Sequence, residues 1–265
     1  MTGGPAVKRA LVTGAAIRLG RAIALYLAAR GHDVAIHYAG SAGAAEETAA
    51  QVRALGRSAC VLQADLTDEA AMQSLVPRAV ADLGGPLTVL VNNASIFEYD
   101  SIASATRASW DRHIESNLRA PFVLTQAFAA QAPGPLLDSA GEPVAQAAVV
   151  NMIDQRVFKL TPEFMSYTIA KMGLWALTRT AAQALAPAVR VNAIGPGPTM
   201  IGHRQSPGHF ARQRAATILQ RGANPDDITA ALGYLLDAPS VTGQILCVDG
   251  GQHLAWKTED VLGVE

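Results

Sequence analysis

Short β-rich runs alternate with longer helical patterns along most of the chain, from Val7 to Val248. Strand-like runs fall at Val7–Val12, Asp33–Tyr38, Ala59–Ala64, Leu87–Val91, Ala147–Ile153, Val189–Ile194 and Ile245–Val248. Helical patterns fall between them, at Leu19–Arg30, Ala44–Leu55, Asp68–Leu83, Trp110–Gln131, Phe164–Leu185 and Pro225–Leu236. Repeated strand–helix units imply an α/β architecture, a doubly wound parallel sheet of about seven strands with helices on both faces. Gly31 closes the first helix, and Asp68 is placed to cap the third. No linker interrupts the pattern, so residues 1–265 read as a single domain. The stretch 132–146 is rich in Pro and Gly and reads as a surface loop.

Half of the residues are hydrophobic and only 16% are charged, so the chain can bury a large core. A net charge of −1 gives no reason to expect a nucleic acid or an anionic membrane as partner. No apolar run is long enough to span a bilayer. The segment MTGGPAVKRA leads straight into a strand and has no signal-peptide pattern, so a cytoplasmic protein is expected. Cys60 and Cys247 sit in apolar strand-like runs and read as buried free thiols.

"VTGAAIRLG" (12–20) follows the first strand and opens the first helix, the context a dinucleotide site requires. Gly14 permits the turn and Gly20 permits close packing, and Leu19 is a further candidate contact to the cofactor. The helix N-terminus offers unpaired N–H groups and positive dipole charge to a pyrophosphate. Arg18 stands where a third glycine is usual, and its guanidinium is expected to face phosphate. The second strand ends in His37-Tyr38-Ala39-Gly40-Ser41, with no carboxylate to repel a 2′-phosphate. NADPH (NADP+) is therefore the expected cofactor, with His37, Tyr38 and Ser41 as candidate contacts. Asp65 and Leu66 end the third strand, where an adenine would lie, and Asn93 and Ala94 follow the fourth.

Tyr167 and Lys171 are i and i+4, hence neighbours on one helix face. A nearby ammonium favours phenolate and is expected to move the Tyr167 pKa from about 10 toward the working range. That tunes a general acid or base. Pro121 lies four residues after Asn117 and cannot donate to its carbonyl. The freed carbonyl is a place for a water.

The set "TGAAIRLG", "NNAS", "YTIAK", "VRVNAIGPGPT" and "VDGG", in this order, resembles the short-chain dehydrogenase/reductase family across nearly the whole chain. The resemblance implies a single-domain Rossmann fold. It implies Tyr167 as proton donor, and Lys171 lowering its pKa and holding the nicotinamide ribose. It also implies Asn117 in a proton relay, and contacts to the cofactor from Pro196 and Gly197.

Most of that family carries Ser thirteen residues before the tyrosine; this chain has Asp154. In this it resembles the pteridine reductase branch, as do Arg18, "NNASIF" and "NMID". The nearest likeness is to dihydropteridine or dihydromonapterin reductase-like enzymes, and dihydrofolate is a further candidate substrate. The resemblance implies a pterin stacked on Phe97 and hydrogen-bonded by Ser95, with Arg18, Asp154 and Tyr167 also at the substrate. The branch often has a basic residue where Ile17 stands and an Arg near Ala39, and this chain has neither. The chemistry of Asp154 is sensible. A carboxylate repels a carbonyl oxygen but accepts from ring N–H and amino donors. Two other readings stay open: a carbonyl reductase acting on a 3-oxoacyl thioester or sugar, and a non-catalytic nucleotide-binding sensor.

Residues 199–222 are expected to form a substrate lid carrying His203, Arg204, His209, Arg212 and Arg214. The two histidines lack a third ligand, so no metal is expected. The tail 252–265 is read as reaching a neighbouring subunit through His253 and Trp256. Ile169, Met172, Leu174, Trp175 and Leu177 cannot share one stripe of their helix, so a homo-oligomer is expected. Family resemblance makes that a tetramer.

Overall fold

The computed structural model describes residues 7–202 and 205–257. Its main sheet has seven strands in the order β3-β2-β1-β4-β7-β8-β9. These are β1 Lys8–Val12, β2 His32–Tyr38, β3 Ala59–Gln63, β4 Val89–Asn92, β7 Ala147–Met152, β8 Val189–Pro196 and β9 Ile245–Val248. Every adjacent pair is parallel. The helices are α1 Arg18–Ala29, α2 Ala42–Ala54, α3 Glu69–Leu83, α4 Arg107–Ile114, α5 Ala120–Gln131, α6 Met165–Leu185, α7 Pro207–Ala215 and α8 Pro225–Asp237. The fold is thus the single-domain, doubly wound α/β sheet that the strand–helix alternation implies.

Covering both faces explains why the strands read as nearly continuous apolar runs. Successive residues of β1 point to opposite faces. Ala10 and Val12 pack with Ile23 and Leu27 of α1 and Ile228 and Leu232 of α8. Leu11, between them, packs on the other side with Leu75 of α3 and Leu124 and Phe128 of α5. The order reverses between β1 and β4, so the crevice outside their carboxyl ends is the natural ligand site.

Three segments depart from the sequence expectation. The helix expected over Trp110–Gln131 is broken by a π-turn at Glu115–Arg119 between α4 and α5. Pro121 falls in the first turn of α5, where its missing N–H is tolerated. The loop 132–146 contains a small hairpin, β5 Leu136–Leu137 against β6 Pro143–Val144. The basic stretch after β8 forms α7, which has no buried residue and therefore lacked an apolar stripe to announce it. Asp68 does cap α3, accepting from the Ala71 N–H at 2.8 Å. No helix among the described residues is long and apolar enough to cross a membrane.

Candidate active site

The loop between β1 and α1 is shaped by backbone approach. Gly14 has φ +62°, a conformation glycine adopts without steric cost. A Cβ on Gly20 would lie 2.0 Å from the Gly14 carbonyl oxygen and 2.7 Å from the Asn93 side-chain nitrogen. Ile17 caps α1 without a side-chain hydrogen bond, and the first turn holds no acidic residue. The helix end therefore presents its N–H groups to the crevice, and a pyrophosphate fits there. Thr13, which the sequence reading passed over, ties the loop to β4. Its hydroxyl accepts from the Asn93 and Ala94 N–H groups, each at 2.9 Å, while Asn93 Nδ2 donates to the Thr13 carbonyl at 2.8 Å. Gly20→Ala should force this junction apart and cost about 1–3 kcal/mol, read as a fall in melting temperature.

The crevice is lined by Gly14, Arg18, Leu19, Gly20, His37 and Asp65, with Leu66, Asn93, Ala94 and Ser95 continuing the wall. His37 is not the phosphate donor the sequence suggested. Its Nδ1 accepts from the Gly14 N–H at 3.0 Å, so the proton is on Nε2, which donates to the Ala64 carbonyl at 3.1 Å. No donor remains, and burial pushes its pKa down to about 4. The ring buttresses the glycine loop. His32, buried and bonded to the Leu27 carbonyl, is pushed down to about 4 by burial as well. A depressed histidine pKa means the unfolded chain takes up protons first. The stability held above pH 6.5 should be lost as pH falls toward about 4, by on the order of 3 kcal/mol for each ring. Urea unfolding at stepped pH reads this directly.

Arg18 also differs from expectation. Its guanidinium donates to the carbonyls of Ile201 at 2.7 Å and Met200 at 3.2 Å, strapping the segment after β8 over the glycine loop. Asp65 accepts from the Thr67 N–H and hydroxyl, which holds its carboxyl below the usual range. Tyr38 packs half-buried against the core, and Ser41 is an exposed cap of α2; neither lines the crevice. Pro196 ends β8, and Gly197 sits where a Cβ would meet Asp249 at 2.6 Å. Within the expected lid, Arg214 is committed to the carbonyls of Pro198, Gly222 and Ala223. His203 and Arg204 lie outside the described residues. His253 bonds Asp249 of its own chain at 2.7 Å, and Trp256 is exposed. Among the described residues no group of His, Cys, Asp or Glu is arranged to hold a metal.

β7 ends at Met152, and the chain leaves it through Ile153 to Asp154. Helix α6 starts behind it and brings Tyr167 and Lys171 onto the same spot. Tyr167 Oη donates to Asp154 Oδ2 at 2.9 Å, and Asp154 Oδ1 accepts from the Arg156 N–H at 2.8 Å. Lys171 Nζ donates to the Met152 carbonyl at 2.8 Å and lies 5.7 Å from the Tyr167 ring centroid. The expected lowering of the Tyr167 pKa is not found. Burial raises it well above 10, and the facing Asp154 raises it further. Burial also raises Asp154. Burial lowers Lys171 to about 8, against the pull of Asp154. The i, i+4 spacing does bring the ammonium close, but the phenol oxygen itself is held by the carboxylate.

The remaining expected residues gather around this pair. The Phe97 ring meets Tyr167 edge-on at 4.7 Å and stacks on Phe164 at 4.3 Å. The Ser95 hydroxyl donates to the Ile96 carbonyl at 3.4 Å and exerts only a small downward pull on Tyr167 against the larger upward causes. The Asn117 amide is occupied on both sides by Ile96, accepting from its N–H at 2.9 Å and donating to its carbonyl at 2.8 Å. Its side chain therefore fastens the loop after β4.

With this geometry in place, the chain can be set against known proteins. Residues 14–253 match the sequence family described as enoyl-(acyl carrier protein) reductase. The 3-oxoacyl-[acyl-carrier-protein] reductase FabG of Staphylococcus aureus is 31% identical over 252 residues, which is 93% of this chain and 98% of that protein. Among solved structures, FolM alternative dihydrofolate reductase 1 from Brucella canis, complexed with NADP, is 42% identical. It superposes with a TM-score of 0.87 over 97% of this chain and 98% of that one. The same enzyme from Brucella suis, also with NADP, is 43% identical, with a TM-score of 0.88 over 96% and 98%. A match from Gly14 to His253, together with full-length relatives of this kind, shows that the chain belongs to the short-chain dehydrogenase/reductase family.

Proposed function

We propose that the chain is an NADPH-dependent reductase of dihydropterin or dihydrofolate rings. The observation that carries the reading is the Asp154 carboxyl 2.9 Å from the Tyr167 hydroxyl, beside the Phe97 ring. A carboxylate here opposes a carbonyl oxygen but suits the nitrogen-rich edge of a pterin, and an aromatic face suits its flat ring. The FolM neighbours, at 42% and 43% identity, support this assignment. NADPH is supported by the same structures and by the absence of a carboxylate over Tyr38–Ser41. The glycine loop and the α1 N-terminus would hold its pyrophosphate.

Reducing a C=N bond adds hydride to carbon and a proton to nitrogen. The nicotinamide supplies the hydride when bound. Tyr167 keeps its proton on Oη because burial and Asp154 both oppose the phenolate, so it acts as a donor rather than a base. Asp154 accepts from that hydroxyl at 2.9 Å and orients it, and the phenolate left after transfer takes its proton back from water. The buried Lys171 supplies positive charge that favours ionised Asp154, which limits the cost of the intermediate charge states. The exposed Ile169 and Met172 on α6 and Phe122 on α5 support association into the expected homo-oligomer.

The kinship to FabG and to the acyl-carrier reductase family favours a second reading, a 3-oxoacyl thioester reductase. NADPH oxidation with dihydrobiopterin, dihydromonapterin, dihydrofolate and a 3-oxoacyl thioester separates the two. Turnover of at least one reduced pterin or dihydrofolate is expected. Turnover of the thioester alone would overturn the proposal.

A further inference from the structure

A second polar cluster lies behind the site, buried and not used in the chemistry above. It consists of Asp100, His113 and Ser166, from the loop after β4, from α4 and from the first turn of α6. All three side chains are closed to solvent. The Glu98 N–H donates to His113 Nε2 at 3.1 Å. That fixes the proton of the neutral ring on Nδ1, which donates to Ser166 Oγ at 2.7 Å. Burial lowers the His113 pKa, in keeping with a neutral ring. The Ser166 hydroxyl then has one acceptor left, Asp100 Oδ2, with which it is in contact. The Ser166 N–H donates to Asp100 Oδ1 at 3.1 Å, and the Asp100 carbonyl accepts from the Phe164 N–H at 2.8 Å.

Although the residue types are those of a catalytic triad, their order is wrong for one. The serine sits between the histidine and the aspartate and donates to the carboxylate, so it is not activated as a nucleophile. What the cluster does hold is geometry. Asp100 caps the start of α6 from a distant loop, one residue before Tyr167. His113 pins the same loop through Glu98, one residue after Phe97. The residue at the junction, Phe164, has φ +56°, a left-handed backbone that bulky residues keep only when their surroundings enforce it.

We propose that Asp100, Ser166 and His113 are positioning residues that hold the Phe97 ring and the Tyr167 hydroxyl in a fixed relation, and so set where the proton donor stands against a planar substrate. This rests on Tyr167 and Phe97 having the roles proposed above. The hydrogen bonds run in one direction, from Glu98 N–H through His113 and Ser166 to an aspartate that accepts at both oxygens. Asp100→Asn keeps the shape but brings an NH2 group to one end. Whichever way the amide turns, a buried donor is left facing a donor or without an acceptor. A cluster that only filled space would tolerate the change.

The test uses whichever substrate the wild-type chain reduces, so that failure of the substrate assignment is seen separately in the unsubstituted enzyme. Asp100→Asn and Ser166→Ala should each lower kcat at saturating substrate by about 10- to 100-fold through misplacement of the donor. NADPH affinity, read by fluorescence, should stay within about twofold, because the glycine loop does not touch the cluster. Ser166→Thr, which keeps a hydroxyl of the same polarity, should recover most of the loss. Wild-type kcat in Asp100→Asn would overturn the proposal. So would a fall in NADPH affinity matching the fall in kcat, since that is the mark of general unfolding.

Discussion

Tyr167→Phe is expected to lower kcat by about 10²- to 10⁴-fold, the range a positioned proton donor supplies. The change removes one oxygen and little else. The ring keeps its edge contact with Phe97 at 4.7 Å and its buried place in the first turn of α6. Asp154 Oδ2 loses its donor, while Oδ1 keeps the Arg156 N–H. A buried carboxyl deprived of a partner becomes easier to protonate. The variant should therefore fold and bind NADPH as the wild type does, and fail at proton delivery. Steady-state NADPH oxidation beside NADPH titration checks both halves. Retained turnover would show that the proton comes from elsewhere.

Asp154→Ser is expected to separate the two substrate classes. The hydroxyl is shorter and uncharged, and it donates as well as accepts. Loss of one charge-assisted hydrogen bond to the ring edge is worth about 1.5–3 kcal/mol. That corresponds to roughly 10- to 100-fold in kcat/KM for a reduced pterin. The same change leaves burial, the main cause of the raised Tyr167 pKa, in place but removes the further rise due to Asp154, and it removes the repulsion facing a carbonyl oxygen. Any 3-oxoacyl activity should rise while pterin activity falls. NADPH affinity should be unaffected, since Asp154 is not among the residues lining the glycine-loop crevice. An equal fall in both activities would leave Asp154 as a general structural residue.

Particular residues show what the sequence could reveal and what it could not. Strands such as β4 and β7 were legible because burial on both faces leaves a nearly continuous apolar run. The meeting of Asp154, Tyr167 and Lys171 was legible because one group ends a strand and the others lie one turn apart on the following helix. The sign of the Tyr167 shift was not. Spacing places an ammonium nearby but does not say that its N–H goes to the Met152 carbonyl while the phenol meets a carboxylate. His37 misled for a related reason. A polar residue at a strand end suggests a solvent-facing donor, and only the fold shows the glycine loop and Ala64 closing on both ring nitrogens. The Asp100–Ser166 contact joins residues 66 positions apart, which no local pattern encodes. The helix α7 escaped notice because it carries no apolar face.

The central claim is that the residue 154 carboxyl meets a nitrogen-bearing ring edge next to a phenol that holds its proton. A crystal structure of the complex with NADP+ and a dihydropterin tests it most directly. The account predicts an Asp154 oxygen within about 2.7–3.2 Å of a ring or amino nitrogen, with the ring lying against Phe97. A pterin bound with its nitrogen edge turned away from Asp154, or an Asp154 side chain rotated out of the cleft, would contradict it.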